Sequence, residues 1–542
     1  MAGLAASFGS GAMSNSIADL KDAACFFIIG ANTSETHPVI GFELKRAIKS
    51  GTKLIISDPL AVPLVRYSDI WLRQTPGTDV ILLSAMIKVI IDEKLYDEAF
   101  IRERTENFRA LVDSLIDFDL EGAATVTRVP LEDIQKAARL YANSKPASIL
   151  YAMGITQHSH GTDNVTAIAN LAMLCGNLGK AGAGVNPLRG QNNVQGACDM
   201  GALPDVLPGY QKVTDEASRT KFESAWGVRL PEKAGLTVTE ITEGILAGKI
   251  KALYIVGENI MLSDPDLNKV RLSLEKLEFL IVQDIFITET TKLAHVVFPA
   301  SSFAEVDGTF TNTERRVQRV KRAIAPIGES KPDWWIIAEI SKRMGGRDFD
   351  YANPQAVFTE MKTLNPSYFG ISYERLEQGG VQWPCPDLSH PGTPILHIER
   401  FTRGKGIFKP VTFRPPGELP DSEFPFILTT GRSPYHFHTG TMTRRVRGLI
   451  ALEPREILTV NAANAASLGI ENGDKVRVSS RRGSVVATAR VGNQTVPGVV
   501  FMTIHFSETA TNLLTSVALD PVAKIPELKV AAVQIEKIVS NC

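Results

Sequence analysis

The sequence predicts an α/β protein with two Rossmann-like domains and a C-terminal β-barrel, divided as residues 1–190, 191–392 and 393–542. The pattern strand–Gly-x-Asn–helix–strand–Asp occurs twice, over 28 positions from Gly30 to Asp58 and over 27 positions from Gly257 to Asp284. Each copy has the form of a β-α-β nucleotide-binding unit. Proline-rich stretches at 389–394 and 410–425 mark the boundary before a mostly β-forming region.

The first copy begins with the wholly apolar run 24–29, which is typical of a buried parallel strand. A helix is predicted over about 35–49, followed by strands at 53–56 and 69–72. Asp79 is predicted to cap the next helix. Further along, the residues predict a strand over 148–156 and a helix over 161–176.

The second copy has predicted strands at 252–256, 279–282 and 295–298, with a later helix over 334–343. A glycine at the end of a strand allows close approach of a pyrophosphate, and a helix N-terminus favours its charge. A following carboxylate can accept hydrogen bonds from a ribose or a guanine edge. Single strand-end Gly and Asp residues are also common turn residues, so the repetition is what predicts two bound nucleotide tails.

Other nucleotide motifs are missing. Neither copy contains G-x-G-x-x-G, and the run G-N-L-G-K-A-G at 176–182 has the wrong spacing for a P-loop.

His158 and His160 are candidate metal ligands, but loop histidines of this kind are more often solvated.

The C-terminal region contains five predicted strands and one inserted helix, over 461–468, as in a small β-barrel. The strands are placed at 426–430, 457–460, 475–479, 485–491 and 499–503. Polar loops at 430–432, 436–440, 505–512 and 524–529 accompany them. On the residues alone, these loops are interpreted as solvated hairpin ends.

The stretch 186–204, N-P-L-R-G-Q-N-N-V-Q-G-A-C-D-M-G-A-L-P, lacks the periodicity of a helix or a strand. A loop that brings backbone close to a large polar ligand has this composition, and Arg189 offers a planar fork suited to a carboxylate or phosphate. A glycine-rich crossover with a surface arginine is the equally supported alternative.

Composition narrows the function classes. The 542 residues carry a net charge of −1, with 44% hydrophobic and 22% charged residues, so nothing predicts binding to nucleic acid or an anionic membrane. No apolar run is long enough to span a membrane, and the first residues do not form a secretory signal. Five dispersed cysteines (25, 175, 198, 385 and 542) without C-x-x-C argue against an iron–sulfur or zinc site within this chain, and suggest a reducing, cytoplasmic setting.

With these motifs in view, the chain resembles the catalytic subunits of molybdenum- or tungsten-dependent formate dehydrogenases, members of the molybdopterin guanine dinucleotide oxidoreductases. The block R-G-Q-N-N-V-Q-G-A-C-D-M-G at 189–201 is the most specific match. Other matches include G-S-G-A-M-S-N-S-I, G-A-N-T-S-E-T-H-P, P-G-T-D, Y-A-M-G-I-T-Q, V-G-E-N, V-Q-D-I-F and H-F-H-T-G-T-M-T-R. The resemblance covers essentially the whole chain.

The resemblance implies a molybdopterin oxidoreductase fold with a six-stranded-type barrel, holding a bis-molybdopterin guanine dinucleotide with Mo or W. Arg189 resembles the arginine that orients formate. The implied cofactor-binding residues are Asn32, Asp58, Gly77, Asp79, Gly154, Gln157, Gln191, Gly257, Glu258, Asn259, Gln283, Asp284, Thr430, Arg432, His436, His438, Thr439 and Asn512.

The resemblance also implies parts that this sequence does not contain: an N-terminal [4Fe–4S] domain and a metal-ligating cysteine or selenocysteine just upstream of Met1. The run Met1-Ala2-Gly3-Leu4 falls where such enzymes commonly have Val-Ala-Gly-Leu. Our hypothesis is that an in-frame UGA codon was read as a stop and a GUG codon as the start. The second Rossmann-like domain is then expected to lack its N-terminal strands, and the chain alone to be inactive.

The function that follows from the resemblance is oxidation of formate to CO₂, or the reverse, with electrons leaving through an iron–sulfur or flavin electron-transfer subunit. One alternative is another oxyanion-handling molybdopterin enzyme. The other is a non-catalytic scaffold subunit of an electron-transfer complex that has kept the fold.

Overall fold

The computed structural model describes residues 1–539, so Cys542 lies outside the described residues. The chain forms two compact units. Unit 1 comprises Met1–Leu188, Leu262–Asn268 and the residues from Ile395 onward, and unit 2 comprises Arg189–Met261 and Lys269–Pro394. The predicted division into three domains stays a prediction. Within residues 1–539, no helix combines the length and apolar character that crossing a bilayer requires.

The central element of unit 1 is a five-stranded parallel sheet in the order β3-β2-β1-β5-β6. Up to residue 188 the strands are β1 Cys25–Ile29, β2 Lys53–Ser57, β3 Ile70–Leu72, β4 Thr105–Glu106, β5 Ala147–Tyr151 and β6 Gly184–Pro187. β1 is buried along its whole length, because both faces of the sheet are covered, as in other doubly wound α/β folds.

The helices of this region are α1 Ala2–Phe8, α2 Thr33–Thr36, α3 Pro38–Lys49, α4 Asp79–Asp92, α5 Glu98–Arg104, α6 Phe108–Ser114, α7 Leu120–Thr127, α8 Leu131–Asn143, α9 Met153–Thr156 and α10 Gly161–Leu174. Alternate residues of β1 enter two cores. Phe27 packs on the face covered by α4, α8 and α10, while Phe26 and Ile28 pack on the face covered by α3.

Unit 2 contains a parallel sheet, β11-β10-β9, and an antiparallel sheet, β12-β13-β14. Its strands are β7 Val206–Leu207, β8 Gln211–Lys212, β9 Ala252–Val256, β10 Phe279–Asp284, β11 Val296–Pro299, β12 Gly308–Thr311, β13 Arg316–Val320 and β14 Val381–Gln382. The helices from residue 189 to 394 are α11 Val194–Asp199, α12 Glu216–Trp226, α13 Val238–Leu246, α14 Ile260–Ser263, α15 Leu267–Glu275, α16 Asp333–Arg343, α17 Pro354–Leu364 and α18 Tyr373–Leu376.

The C-terminal part of unit 1 is a closed six-stranded barrel in the order β16-β20-β17-β19-β18-β21. It follows the short strand β15 Gly406–Ile407, which pairs with β4. The barrel strands are β16 Phe426–Gly431, β17 Ile457–Asn461, β18 Lys475–Ser480, β19 Gly483–Gly492, β20 Val499–Thr503 and β21 Ala531–Lys537, with helices α19 Arg447–Leu452 and α20 Ala462–Ser467. The predicted fold class is therefore confirmed.

Several local predictions were wrong. Thr78, not Asp79, is the N-cap of α4, and Asp79 is the first helical residue. The predicted strand over 148–156 ends at Tyr151, and Gly154 lies in the short helix α9. The loop over 186–204 contains a helix, α11, for which the sequence offered no periodic signal. β21 was not predicted, and it closes the barrel by pairing with β16 and β18.

Candidate functional site

The carboxyl ends of β1 and β2 place two predicted residues at one edge of the sheet in unit 1. Ile29 is paired with Ser57, and the Gly30 amide donates to the Ser57 carbonyl at 3.0 Å. The loops that carry Asn32 and Asp58 therefore leave from neighbouring strand ends. This is the edge at which open α/β sheets bind ligands.

Gly154 reaches the same edge from the end of β5. Its amide donates to the Gly30 carbonyl at 3.1 Å. A Cβ atom built on Gly154 would lie 2.6 Å from that carbonyl oxygen, so only glycine permits the contact. Gln157 ends α9, and its carbonyl accepts from the Lys529 amide at 3.3 Å.

Two carboxylates near this edge are buried. The Asp58 side chain accepts from the Leu60 amide at 2.9 Å, and burial raises the pKa of Asp58 to about 7. Burial also raises the pKa of Asp79, which accepts from Gln74 Nε2 at 3.0 Å, to about 6. Gly77, with φ of 85°, allows Pro416 to pack closely against this turn.

One cation, Lys529, faces the charge of Asp58, and a second, Arg432, lies near Lys529. Lys529 Nζ donates to the Thr430 carbonyl at 2.6 Å. Burial, with a further contribution from the charge of Arg432, lowers the pKa of Lys529 to about 8, and Asp58 opposes the shift. Burial likewise lowers the pKa of Arg432, whose guanidinium lies 5.4 Å from the Phe437 ring centroid. In the described part of the chain, neither cation forms a salt bridge.

Hydrogen bonds hold the loop 436–440, which follows β16 and contains His436 and His438, against His505 after β20. His505 Nε2 accepts from the Ser433 amide at 2.9 Å, so its Nδ1 is the donor to the His438 carbonyl at 2.5 Å. His436 lies 2.8 Å from the Glu453 carbonyl through Nε2. His438 adopts a positive φ of 49°, and burial lowers its pKa to about 4.

The last two predicted residues of unit 1 make local contacts. Thr439 Oγ1 lies 3.0 Å from Thr441 Oγ1. Asn512 Nδ2 donates to the carbonyls of Leu262 and Ser263 at 2.8 and 3.1 Å. The interpretation of these loops as solvated hairpin ends was wrong, since His436, Thr439, His505 and Asn512 are all buried.

Fourteen buried side-chain polar atoms of unit 1 have no hydrogen-bond partner within residues 1–539, among them Asn32 Oδ1, Thr33 Oγ1, Ser34 Oγ and Ser57 Oγ. Most buried polar groups in native proteins are paired. These four atoms belong to residues 32–34 and 57, at the same strand ends as Asp58. Their grouping there indicates a site for a polar ligand.

His158 and His160 were expected to be solvated, and this prediction was wrong. Both are 1% exposed, and their rings stack with centroids 5.3 Å apart. His158 Nε2 lies 2.8 Å from the Gly154 carbonyl, while burial lowers the pKa of each ring to about 4. Within the described chain they belong to no group of three or more metal-ligating side chains.

In unit 2, the predicted residues lie at the ends of β9 and β10. Gly257 follows β9 with φ of 65° and nothing within 4 Å of a Cβ position, so its backbone is open to a ligand. Glu258 follows it and is half-buried. Asp284, the last residue of β10, accepts from the Ile285 amide at 2.7 Å.

Two of the predicted side chains in unit 2 are instead held by internal hydrogen bonds. Asn259 donates to Glu289 at 2.9 Å and accepts from the Thr290 hydroxyl at 2.8 Å. Gln283 is fully buried, donates to Asp333 at 2.5 Å and accepts from Tyr254. Their side chains organise the strand ends of this unit.

Arg189 begins unit 2 and is half-buried. Its amide donates to Thr313 Oγ1 at 3.0 Å, and its Nε donates to Gln195 Oε1 at 3.2 Å. Gln191 lies in the turn before α11, where its carbonyl accepts from the Val194 amide at 3.5 Å. The roles of Gln195, Asp199 and Lys529 were not predicted from the sequence, where only the polarity of their side chains points to a role.

Comparisons with known proteins show the family to which the chain belongs. The model of the molybdopterin oxidoreductase family matches residues 4–343, more than half of the 542 residues. The chain belongs to the molybdopterin oxidoreductase family. A second model, "Molydopterin dinucleotide binding domain", matches residues 426–532 of this family member, which is most of the barrel.

Relatives of this molybdopterin oxidoreductase align along almost its whole length. It is 51% identical over 540 residues to the F420-dependent formate dehydrogenase subunit alpha of Methanocaldococcus jannaschii, covering 99% of this chain and 80% of that protein. It is 41% identical to formate dehydrogenase H of Escherichia coli, covering 99% and 76%. Acetylene hydratase from Pelobacter acetylenicus superposes with a TM-score of 0.77 at 20% identity, covering 99% of this chain and 80% of that one, which shows the shared fold.

The residues of unit 1 fit the dinucleotide that the family name implies. Arg432 and Lys529 are half-buried cations that form no salt bridge in residues 1–539, and a diphosphate would supply an anionic partner. The Asp58 carboxylate is an acceptor suited to the N–H groups of a base. The partnerless oxygens near the strand ends can pair with its remaining donors.

Proposed function

We propose that this chain is the catalytic subunit of a formate dehydrogenase, which oxidises formate to CO₂ or runs the reverse reaction. The main support for this proposal is the 51% identity, over 99% of the chain, to a formate dehydrogenase subunit alpha. The reaction removes two electrons and one proton from formate.

Arg189 is the residue that we propose orients the substrate. A guanidinium can hold a carboxylate through two parallel N–H donors, which fixes both position and rotation. The Arg189 backbone is tied to Thr313 and its Nε to Gln195. These two contacts limit the rotation of the side chain before substrate arrives.

The proposed cofactor is a bis-molybdopterin guanine dinucleotide with Mo or W. When bound, this group would supply the two-electron acceptor for the reaction. In unit 1, Arg432 and Lys529 would hold a diphosphate and Asp58 a guanine. In unit 2, the open backbone at Gly257 would admit the second dinucleotide, with Glu258, Asn259, Gln283 and Asp284 around it. Gly154, Gln157, the loop 436–439 and Asn512 remain predicted pterin contacts, and Gln191 remains a predicted cofactor contact.

We further propose an iron–sulfur or flavin electron-transfer partner. The designation "subunit alpha" of the Methanocaldococcus relative supports a multisubunit enzyme. Two electrons released from a small substrate must leave the enzyme before the next turnover, and residues 1–539 contain no cluster of metal-ligating side chains that could carry them.

The test is the protein purified from its own host and assayed for molybdenum, tungsten, pterin and formate-dependent dye reduction. We expect one metal and two pterins per chain, with activity reduced at least a hundredfold in Arg189→Lys, because lysine cannot form the bidentate contact. Arg343→Lys, at the exposed end of α16, is the matched control. Metal-loaded protein that does not act on formate would indicate another molybdopterin enzyme, and assembled metal-free protein would indicate a scaffold.

A further inference from the structure

A buried polar network lies directly behind Arg189 in unit 2. Gln195 accepts from Arg189 Nε through Oε1 at 3.2 Å. Through Nε2, the same amide donates to Asp199 Oδ1 at 2.8 Å and to the Tyr210 hydroxyl at 3.0 Å. Gln195 and Asp199 are each 1% exposed. The contacts form a continuous path from the Asp199 carboxylate to the guanidinium.

Asp199 is held by neutral donors. The Tyr210 hydroxyl donates to Oδ1 at 2.8 Å, and the Tyr368 hydroxyl donates to Oδ2 at 2.6 Å. Burial raises the pKa of Asp199, while these hydrogen bonds oppose the shift. An Asp side chain almost fully removed from water is usually paired with a cation. Here hydroxyls and one amide take that place.

The carboxylate determines which way the Gln195 amide faces. A carboxylate only accepts hydrogen bonds, so the NH₂ group of Gln195 must point toward Asp199. The amide oxygen is then left to face Arg189 Nε, which only donates. Reversing the amide would place NH₂ against Nε–H and carbonyl against carboxylate. Asp199 therefore fixes the orientation of the Gln195 amide, which in turn contacts the Arg189 guanidinium.

The network is anchored outside the loop. Asn365 Nδ2 donates to the Asp199 carbonyl at 3.2 Å. The Thr311 hydroxyl at the end of β12 lies 3.0 Å from the Tyr368 hydroxyl, and its amide donates to Asn193 Oδ1 at 2.9 Å. Contacts from β12 and from the segment around Tyr368 thus hold the position of α11 and of Gln195.

We propose that Asp199 and Gln195 are positioning residues that hold the Arg189 guanidinium in the orientation required to bind a small carboxylate. This inference rests on the proposed function, in which that carboxylate is formate. Asp199 does not touch the substrate. It acts through the Gln195 amide, in the way that outer-shell carboxylates orient the groups in contact with a ligand.

The first test is Asp199→Asn in the holoenzyme. The new amide can offer Gln195 either its carbonyl or its NH₂, so Gln195 is no longer restricted to one orientation and can turn its own NH₂ toward Arg189. We expect the KM for formate to rise about tenfold, the loss of one hydrogen bond to a charged group, with a smaller change in kcat and unchanged metal and pterin content. Asp215→Asn, at the exposed N-cap of α12, is the matched control.

The second test is the double variant Gln195→Glu with Asp199→Asn. The amide introduced at position 199 can donate to one oxygen of the new carboxylate and leave the other facing Arg189, and the Tyr210 hydroxyl can reverse its donor role. The double variant thus again has an acceptor facing Arg189 Nε, and positions 195 and 199 together carry the same net charge as in the wild type. We expect the KM to return to within about threefold of the wild-type value, a remaining loss smaller than one hydrogen bond. Failure of the double variant to recover would count against the orientation mechanism.

A readout independent of turnover separates the two proposals. Phenylglyoxal modifies arginine, and protection of Arg189 by added formate, followed by peptide mass spectrometry, reports a dissociation constant. Protection in the wild type but equal protection in Asp199→Asn would overturn the positioning role alone. If formate does not protect the wild type, both the proposed contact between Arg189 and formate and the positioning role of Asp199 are wrong. Should Asp199→Asn not fold, Tyr210→Phe removes one contact of the same network at a partly exposed residue and must weaken protection.

Discussion

Gly30 and Gly154 are in backbone contact. The Gly154 amide donates to the Gly30 carbonyl at 3.1 Å, and a Cβ atom on Gly154 would approach the same oxygen to 2.6 Å. This contact joins the end of β1 to the turn after β5. The close backbone contact between the two glycines fixes the edge of the sheet from which the loops carrying Asn32 and Asp58 leave.

Gly154→Ala is expected to separate these two strand ends. The methyl group overlaps backbone atoms that cannot rotate away, so we expect a loss of about 1–3 kcal/mol in the free energy of unfolding and reduced pterin content. Thermal denaturation and pterin analysis measure the two effects. Gly492→Ala, where nothing lies within 4 Å of the Cβ position, should leave both near wild type. Equal behaviour of the two variants would contradict the role of the contact.

Lys529 provides a pH test of the cation pair. Its pKa in the folded protein is lowered from 10.5 to about 8, so between these values the unfolded chain binds a proton that the folded chain has released. In cofactor-free protein, stability should therefore rise as the pH increases through this window. Lys529→Met should lack that rise, whereas Lys475→Met, on the exposed face of the barrel, should retain it. The measurement is the free energy of unfolding of the wild type and both variants from pH 7 to 11, and a rise of equal size in Lys529→Met would contradict the prediction.

Glu456 should give the opposite trend at lower pH. It accepts from Thr503 at the amide and the hydroxyl, both at 2.7 Å, and burial raises its pKa from 4.5 to about 7. Because the folded protein keeps a proton that the unfolded chain loses, stability falls as the pH rises across this range.

Glu456→Gln keeps the acceptor and removes the titration, so the variant should become more stable than wild type as the pH increases, by on the order of 3 kcal/mol at neutral pH. Chemical denaturation at pH 4.5 and 7.5 measures the difference. A constant difference between the two proteins across that interval would show that Glu456 is already ionised.

The stacked histidines are expected to respond unequally to substitution. Neither ring nitrogen of His160 has a hydrogen-bond partner in residues 1–539, so His160→Phe keeps the stack and removes two unpaired polar atoms. We expect unchanged stability or a gain of about 1 kcal/mol. His158→Phe removes the hydrogen bond to the Gly154 carbonyl and should cost about 1–3 kcal/mol. A large loss in His160→Phe would instead reveal a bound water or ligand.

Much of the fold follows from local pattern. The apolar runs in both β-α-β copies predict strands, and the strand over 252–256 has the same bounds in the structure. Five of the six barrel strands were likewise predicted. β21 was missed because its place is set by pairing with β16 and β18, which are remote in sequence. Strand existence is local information, whereas barrel closure depends on distant partners.

The candidate site divides in the same way. The sequence by itself determined the strand-end glycines, Asp58 and the arginine loop, because turn chemistry and charge can be recognised without a fold. Only the tertiary structure decided that Lys529 and Arg432 lie near each other without a salt bridge in residues 1–539, and that Asp199 orients Gln195 behind Arg189. Both outcomes depend on burial and on contacts between separate elements, which change pKa values and hydrogen-bond directions in ways that residue spacing does not encode.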